Sequence, residues 1–254
     1  LIDQALLLRL WRQGAINAAV PVHWTGAPAT LNPGAFEGMP IVYDAAQAVG
    51  ATWRGRPIGN LGVASAYSLH PLKNVHAAGD GGVVTTDDEK LAVALVRLRN
   101  HGLLGRNDWL MPGFNARLEP IQAVVARRVL QRLPKITGKR QDHAALYDSL
   151  LRNVPQITIP PRDELAGSVY HTYVVMAEGR DNLVHWLQTE RGIDVKVHYP
   201  RPLHFQPAVK GYKPGDFPVA EEQAHKLISL PVHEHLTEDD VRYVAKAIGD
   251  FYAL

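Results

Sequence analysis

Lys73 is the residue in this 254-residue chain that most needs explaining. It follows His70-Pro71-Leu72 and precedes Asn74 and the run Gly79-Asp80-Gly81-Gly82. A lone loop lysine is usually solvated, and a Gly-Asp-Gly-Gly run is most often a tight turn that needs positive φ. Two upstream residues shift that balance. Asp44 closes the apolar run Ile41-Val42-Tyr43, and Ser68 lies at the end of a second run, Val63 to Leu69. Asp44 alone reads more readily as the cap of a short helix or turn through Ala45, Ala46 and Gln47. Together the three residues offer an amine, a carboxylate and a hydroxyl.

In open α/β sheets, ligands bind beyond the carboxyl ends of the strands, so polar residues at those ends are the first candidates for chemistry. Pyridoxal phosphate needs such a set: an amine for a Schiff base, a carboxylate that keeps its pyridine nitrogen protonated, and donors for its phosphate. The protonated ring withdraws electrons from the substrate, and the displaced lysine can carry the proton that is lost.

The elements that must position these groups follow from periodicity. Ala15 to His23, Ile41 to Asp44, Val63 to Leu69 and Gly82 to Thr86 are short apolar runs bounded by Gly, Pro or Asp, and they predict four buried strands. Asp87 or Asp88 caps a predicted helix carrying Leu91, Ala94, Leu95 and Leu98 on one face, with Gly102 beyond its end. A second helix starts near Glu119. Pro134 is expected to interrupt the chain before a helix carrying Ala144, Leu146, Tyr147, Leu150 and Leu151. Strands over His171 to Met176 and Ile193 to Val197 should flank a helix from Arg180 to Arg191. Thr237 and Asp240 form a capping box for a last helix. This order predicts a mainly parallel α/β sheet flanked by helices over residues 1–137, then a smaller α+β domain over 138–254.

Composition narrows the class. Lys plus Arg is 27 and Asp plus Glu is 25, a formal net charge of +2 that gives no support to a nucleic-acid or membrane-surface partner. The chain has no cysteine, which excludes disulfides, thiolate nucleophiles and cysteine-ligated metals, and a cytoplasmic location is expected. No apolar run reaches the roughly 18 to 20 residues of a membrane span. His233-Glu234-His235 invites a metal reading, but no third ligand is evident in the sequence, so no metal is expected.

The segments Asp44-Ala-Ala-Gln47, Ser68-Leu-His-Pro-Leu-Lys73-Asn and Gly79-Asp-Gly-Gly82 resemble, in order and spacing, the successive signatures of the DegT/DnrJ/StrS family of nucleotide-sugar aminotransferases. The resemblance continues through Arg99-Asn-His-Gly102, Gly113-Phe-Asn115-Ala-Arg117-Leu-Glu-Pro-Ile-Gln122, Val197-His198-Tyr199-Pro200 and Gly215-Asp-Phe-Pro218. It implies the fold-type I architecture of pyridoxal-phosphate enzymes. It also implies that Asp44 meets the pyridine nitrogen, Gln47 the ring hydroxyl, Ser68 the phosphate and Lys73 the cofactor aldehyde. Asn115 would reach the phosphate of a neighbouring subunit in a homodimer, and His198 and Tyr199 would contact the sugar. The implied reaction moves an amino group from an amino acid, expected to be glutamate, to a nucleotide-linked keto-sugar. Dehydratases of the same family carry histidine in place of this lysine, so Lys73 speaks for transamination.

Members of that family carry a long segment ahead of the first matching strand, and here only Leu1 to Gly14 precede it. The segment supplies part of the sheet, backbone donors for the phosphate and a stacking aromatic, for which Trp11 or Trp24 could substitute. The chain is therefore expected to be an N-terminally incomplete large domain plus a small domain. A noncatalytic relative or fragment that binds a nucleotide-sugar or another subunit is the alternative. A fold relative acting on amino acids is a third reading.

Overall fold

Three of the apolar runs become a sheet in which β1 (Val42–Asp44) pairs parallel with β4 (Ala64–Ser68), and β5 (Gly82–Thr85) adds antiparallel to the other side of β4. The computed structural model describes residues 1–29 and 31–253. These form two compact units, Leu1–Thr137 with Glu164–His171, and Gly138–Asp163 with Thr172–Leu254.

The run Ala15 to His23 does not form a full strand. It touches β1 through two isolated parallel bridges, Ala19 to Ile41 and Val22 to Asp44. Pro21 lies between them and has no N–H to give the ladder, although its carbonyl accepts from the Asp44 N–H at 2.9 Å. A second small sheet in this unit orders β3 (Arg56–Pro57), β2 (Thr52–Trp53) and β7 (Ala166–Gly167). No sequence signal announced it, because two-residue strands have no periodicity to read.

Helix α1 (Gln4–Arg12) is capped by the Asp3 carboxylate, which accepts from the N–H groups of Ala5 and Leu6. It buries Leu7 in a cluster with Ala19, Leu31, Phe36, Met39, Ile41 and Tyr43, and Trp11 packs against that cluster. Helix α2 (Glu89–Leu98) is capped by Asp88, and α3 (Pro120–Leu130) by a reciprocal box between Glu119 and Gln122. Ala126 of α3 closes over Leu69, Val75 and Ala77, the apolar residues around the Lys73 turn. A turn at Gln131 and Arg132 interrupts the chain just ahead of Pro134, as expected; Pro134 itself breaks no helix. It occupies the first turn of α4 (Leu133–Leu151), where a helix leaves its N–H groups without acceptors and proline removes nothing.

In the second unit β8 (Tyr173–Ala177) lies between β6 (Ile157–Thr158) and β9 (Leu227–Leu230), all antiparallel. Helices α5 (Arg180–Thr189), α6 (Pro218–Lys226) and α7 (Glu238–Tyr252) complete it, and the Thr237–Asp240 capping box is present. Tyr147, Leu151, Tyr173, Leu183, Leu187, Ile228 and Ile248 are its largest fully buried side chains. The expected strand Ile193 to Val197 is reduced to one bridge between Lys196 and Ser229. The Val195 N–H turns back to the Ile193 carbonyl, and its own carbonyl accepts from the Gln188 amide, so a ladder finds no partner there.

Candidate active site

Asp44 and Ser68 stand at the carboxyl ends of neighbouring parallel strands. The register sets Asp44 opposite Ala66, and Ser68, two residues further, projects from the same face of the sheet. Asp44 is fixed by the Ala46 N–H, which donates to its carboxylate at 3.0 Å. The Ser68 hydroxyl accepts from the His70 N–H at 3.2 Å, which leaves its hydrogen to donate elsewhere.

Lys73 sits on a closed loop. The Ala77 N–H donates to the Leu69 carbonyl at its base, and the Lys73 N–H donates to the His70 carbonyl, both at 2.9 Å. Lys73 is half-buried, and burial lowers its amine below the ordinary lysine value, while the negative charge of Asp44 opposes that shift. The amine and the carboxylate are thus close enough to act on each other.

Gln47 is placed by the Thr25 N–H, which donates to its side-chain oxygen at 2.6 Å. That contact fixes which end of the amide is nitrogen and leaves the NH2 group to donate elsewhere. The run Gly79 to Gly82 does not supply positive φ. That conformation falls on Ala78, at φ 54°. The glycines leave little room: a Cβ on Gly81 would fall 2.7 Å from the Leu118 side chain, one on Gly79 3.1 Å from that of Gln122, and one on Gly82 3.0 Å from the Tyr67 backbone carbonyl.

Asn115 lies in an exposed turn of the same unit, bridged to Asn100, beside Phe114 with 72% of its surface exposed. In the second unit, His198 shares a hydrogen bond of 2.8 Å with the Ser229 hydroxyl of β9. Tyr199 meets the His198 ring edge-on and is exposed. Among the described residues no group of three or more His, Asp and Glu has metal-binding geometry, and Glu234 is instead paired with the half-buried-to-buried Arg140 at 3.0 Å.

Sequence reasoning missed three residues around the site. His23 is fully buried, stacks on Tyr43 at 4.6 Å and accepts from the Ala29 N–H at 2.7 Å; burial lowers its pKa to about 4. Asn74 and His171 join the Lys73 loop to a segment almost a hundred residues later, at 3.3 Å from His171 Nδ1 to Asn74 Oδ1. Only the position of Asn74 next to Lys73 could have drawn notice.

The donor set fits pyridoxal phosphate: a confined amine, a fixed carboxylate, a hydroxyl with a hydrogen to give and an oriented amide, all in one unit. The profile of the DegT/DnrJ/EryC1/StrS aminotransferase family matches residues 12–249. The chain is 39% identical over 241 residues to the dTDP-3-amino-3,4,6-trideoxy-alpha-D-glucose transaminase of Streptomyces venezuelae, covering 92% of this chain and 63% of that protein. It superposes on S. venezuelae DesV with a TM-score of 0.91 at 37% identity, covering 98% of this chain and 68% of that one. A sugar aminotransferase of Streptococcus pneumoniae, Spr1654 in its PLP form, superposes with a TM-score of 0.83 at 26% identity, covering 97% and 71%. The chain spans less than two thirds of the length of the curated relatives it matches, 58% to 66%.

Proposed function

Because this chain belongs to the DegT/DnrJ/EryC1/StrS aminotransferase family, we propose that it carries the pyridoxal-phosphate site of an enzyme that aminates a nucleotide-linked keto-sugar. The observation that carries this reading is the register of β1 with β4, which sets Asp44 and Ser68 on one face at the strand ends, directly ahead of the closed loop that bears Lys73.

When bound, the cofactor supplies an aldehyde that condenses with amines and a conjugated ring that accepts the electron pair left on the substrate. The chain's residues do the rest. Lys73, its amine biased toward the neutral form by burial, binds that aldehyde and, once displaced, carries a proton at Nζ. Asp44, held by the Ala46 N–H, keeps a proton on the pyridine nitrogen. The Ser68 hydroxyl donates to the phosphate, and the Gln47 NH2 faces the ring hydroxyl. His198 and Tyr199 contact the sugar. Asn115 serves the phosphate of a second subunit in a homodimer, and the exposed Phe114 beside it suits a covered surface. Glutamate is the proposed amino donor, and the absence of cysteine suits a cytoplasmic enzyme.

Purified protein mixed with pyridoxal phosphate should turn yellow, and Lys73→Ala should stay colourless. A colourless wild type would overturn the reading in favour of a nucleotide-sugar binding or subunit-interaction module. Incubation with nucleotide-linked 3-keto and 4-keto sugars and glutamate should release 2-oxoglutarate over many turnovers, beyond the single equivalent that glutamate alone gives up to the cofactor; continued turnover of amino acids without a keto-sugar would point to the fold relatives that act on amino acids.

A further inference from the structure

Directly after Lys73, the Asn74 side chain is buried and used at both ends. Its Nδ2 donates to the Val169 carbonyl at 3.0 Å, and its Oδ1 lies 3.3 Å from His171 Nδ1. Because the Val169 contact needs a donor, the carboxamide has one orientation, and His171 must present Nδ1–H to the remaining oxygen. Ser168 to His171 thus form a strap laid across the first unit.

The strap is held at a second point. The Val169 N–H donates to the Gly26 carbonyl at 3.1 Å, and Gly26 packs so closely that a Cβ there would meet Val169 at 2.8 Å, the His171 nitrogen at 3.0 Å and the Gln47 carbonyl at 3.1 Å. Thr25, next in the chain to Gly26, is the residue whose N–H fixes Gln47. Tyr170 adopts φ 44°, a conformation that an aromatic residue keeps only where its surroundings impose it.

We infer that Asn74 is a positioning residue for the Lys73 amine, clamping the lysine-bearing loop to the Ser168–His171 strap and thereby setting it in register with Gln47. This rests on the aminotransferase reading for its purpose, but not for its measurement. With the clamp intact, the loop carries Lys73 at a fixed depth beside Asp44. Without it, the buried Val169 carbonyl and the His171 N–H lose their partner, the loop loosens and the amine gains water.

The test uses the full chain without cofactor. Reductive 13C-methylation of the lysines followed by an NMR pH titration, with Lys73 assigned by its absence in Lys73→Ala, reads the amine directly. The wild type should titrate below the ordinary lysine value, and Asn74→Ala, still folded by circular dichroism, should move that midpoint upward. His171→Ala, which removes one arm of the clamp, should move it the same way by less. Affinity for pyridoxal phosphate should fall by about tenfold in Asn74→Ala. If Asn74→Ala does not fold, His171→Ala decides. An unmoved Lys73 midpoint in a folded variant would overturn the inference, even if the wild type turns yellow. A shifted midpoint in a protein that stays colourless would sustain the clamp and sink the aminotransferase reading instead.

Discussion

At the scale of single residues, burial disfavours the charge of several basic groups, His23 and Lys73 among them. His23 is fully buried and holds its proton only below about pH 4, against an ordinary 6.5. Between those values the unfolded chain binds a proton that the folded chain does not, so stability should fall as pH drops from 6.5 toward 4 and level off below. The loss is on the order of 3 kcal/mol. Urea titrations across that range should show a shallower acid decline in His23→Gln; an equally steep one would assign the loss to other groups. The same sign governs Lys73, whose folded value is also lowered, so its burial penalises the fold at neutral pH and is relieved only as pH rises toward 10.5. Lys73→Met should therefore raise Tm at pH 7 while abolishing cofactor binding. A lowered Tm would mean that the amine makes stabilising contacts that outweigh its burial.

Among the elements, the pairing of β1 with β4 carries the site, because it sets Asp44 and Ser68 on one face at one end. Its first rung is the Val63 N–H donating to the Ile41 carbonyl at 2.8 Å. Gly62 passes so close to that carbonyl that a Cβ would overlap its oxygen and press on the Tyr43 ring at 3.1 Å. Gly62→Ala should destabilise the protein by about 2–3 kcal/mol in chemical denaturation and weaken cofactor binding with it. No loss of stability would show that the strand entry can shift without cost. The isolated reading of Gly79 to Gly82 as a positive-φ turn failed at this scale because the left-handed residue is Ala78, and the glycines are crowded by the Tyr67 carbonyl of β4 and by the Leu118 and Gln122 side chains, all distant in sequence.

At the scale of the molecule, the first unit leaves several valines exposed on one face of its sheet. Val20, Val22 and Val42 project beside Asp44, and Val84, paired with Ala66, continues the same face; Val20 is 64% and Val84 48% exposed. An exposed run of apolar side chains across a sheet invites association. Sedimentation velocity should show concentration-dependent self-association that Val22→Lys with Val84→Lys reduces. A wild type that stays monomeric at its highest workable concentration would refute it.

The amino-acid order alone carried the family resemblance, with Asp44, Ser68 and Lys73 as its candidate site, a cap at Asp87 or Asp88, the capping box at Thr237 and the alternation of strands with helices, because each is read from short local segments. It could not give the role of Asn74, the burial of His23 or the strap at Ser168–His171. Those depend on groups separated by up to 97 positions being packed together, as Asn74 and His171 are. Nor could it show that Pro21 breaks one strand and that Val195 turns back on itself, since a strand exists only where a partner's N–H and carbonyl groups are free to meet it, and tertiary packing decides which are free.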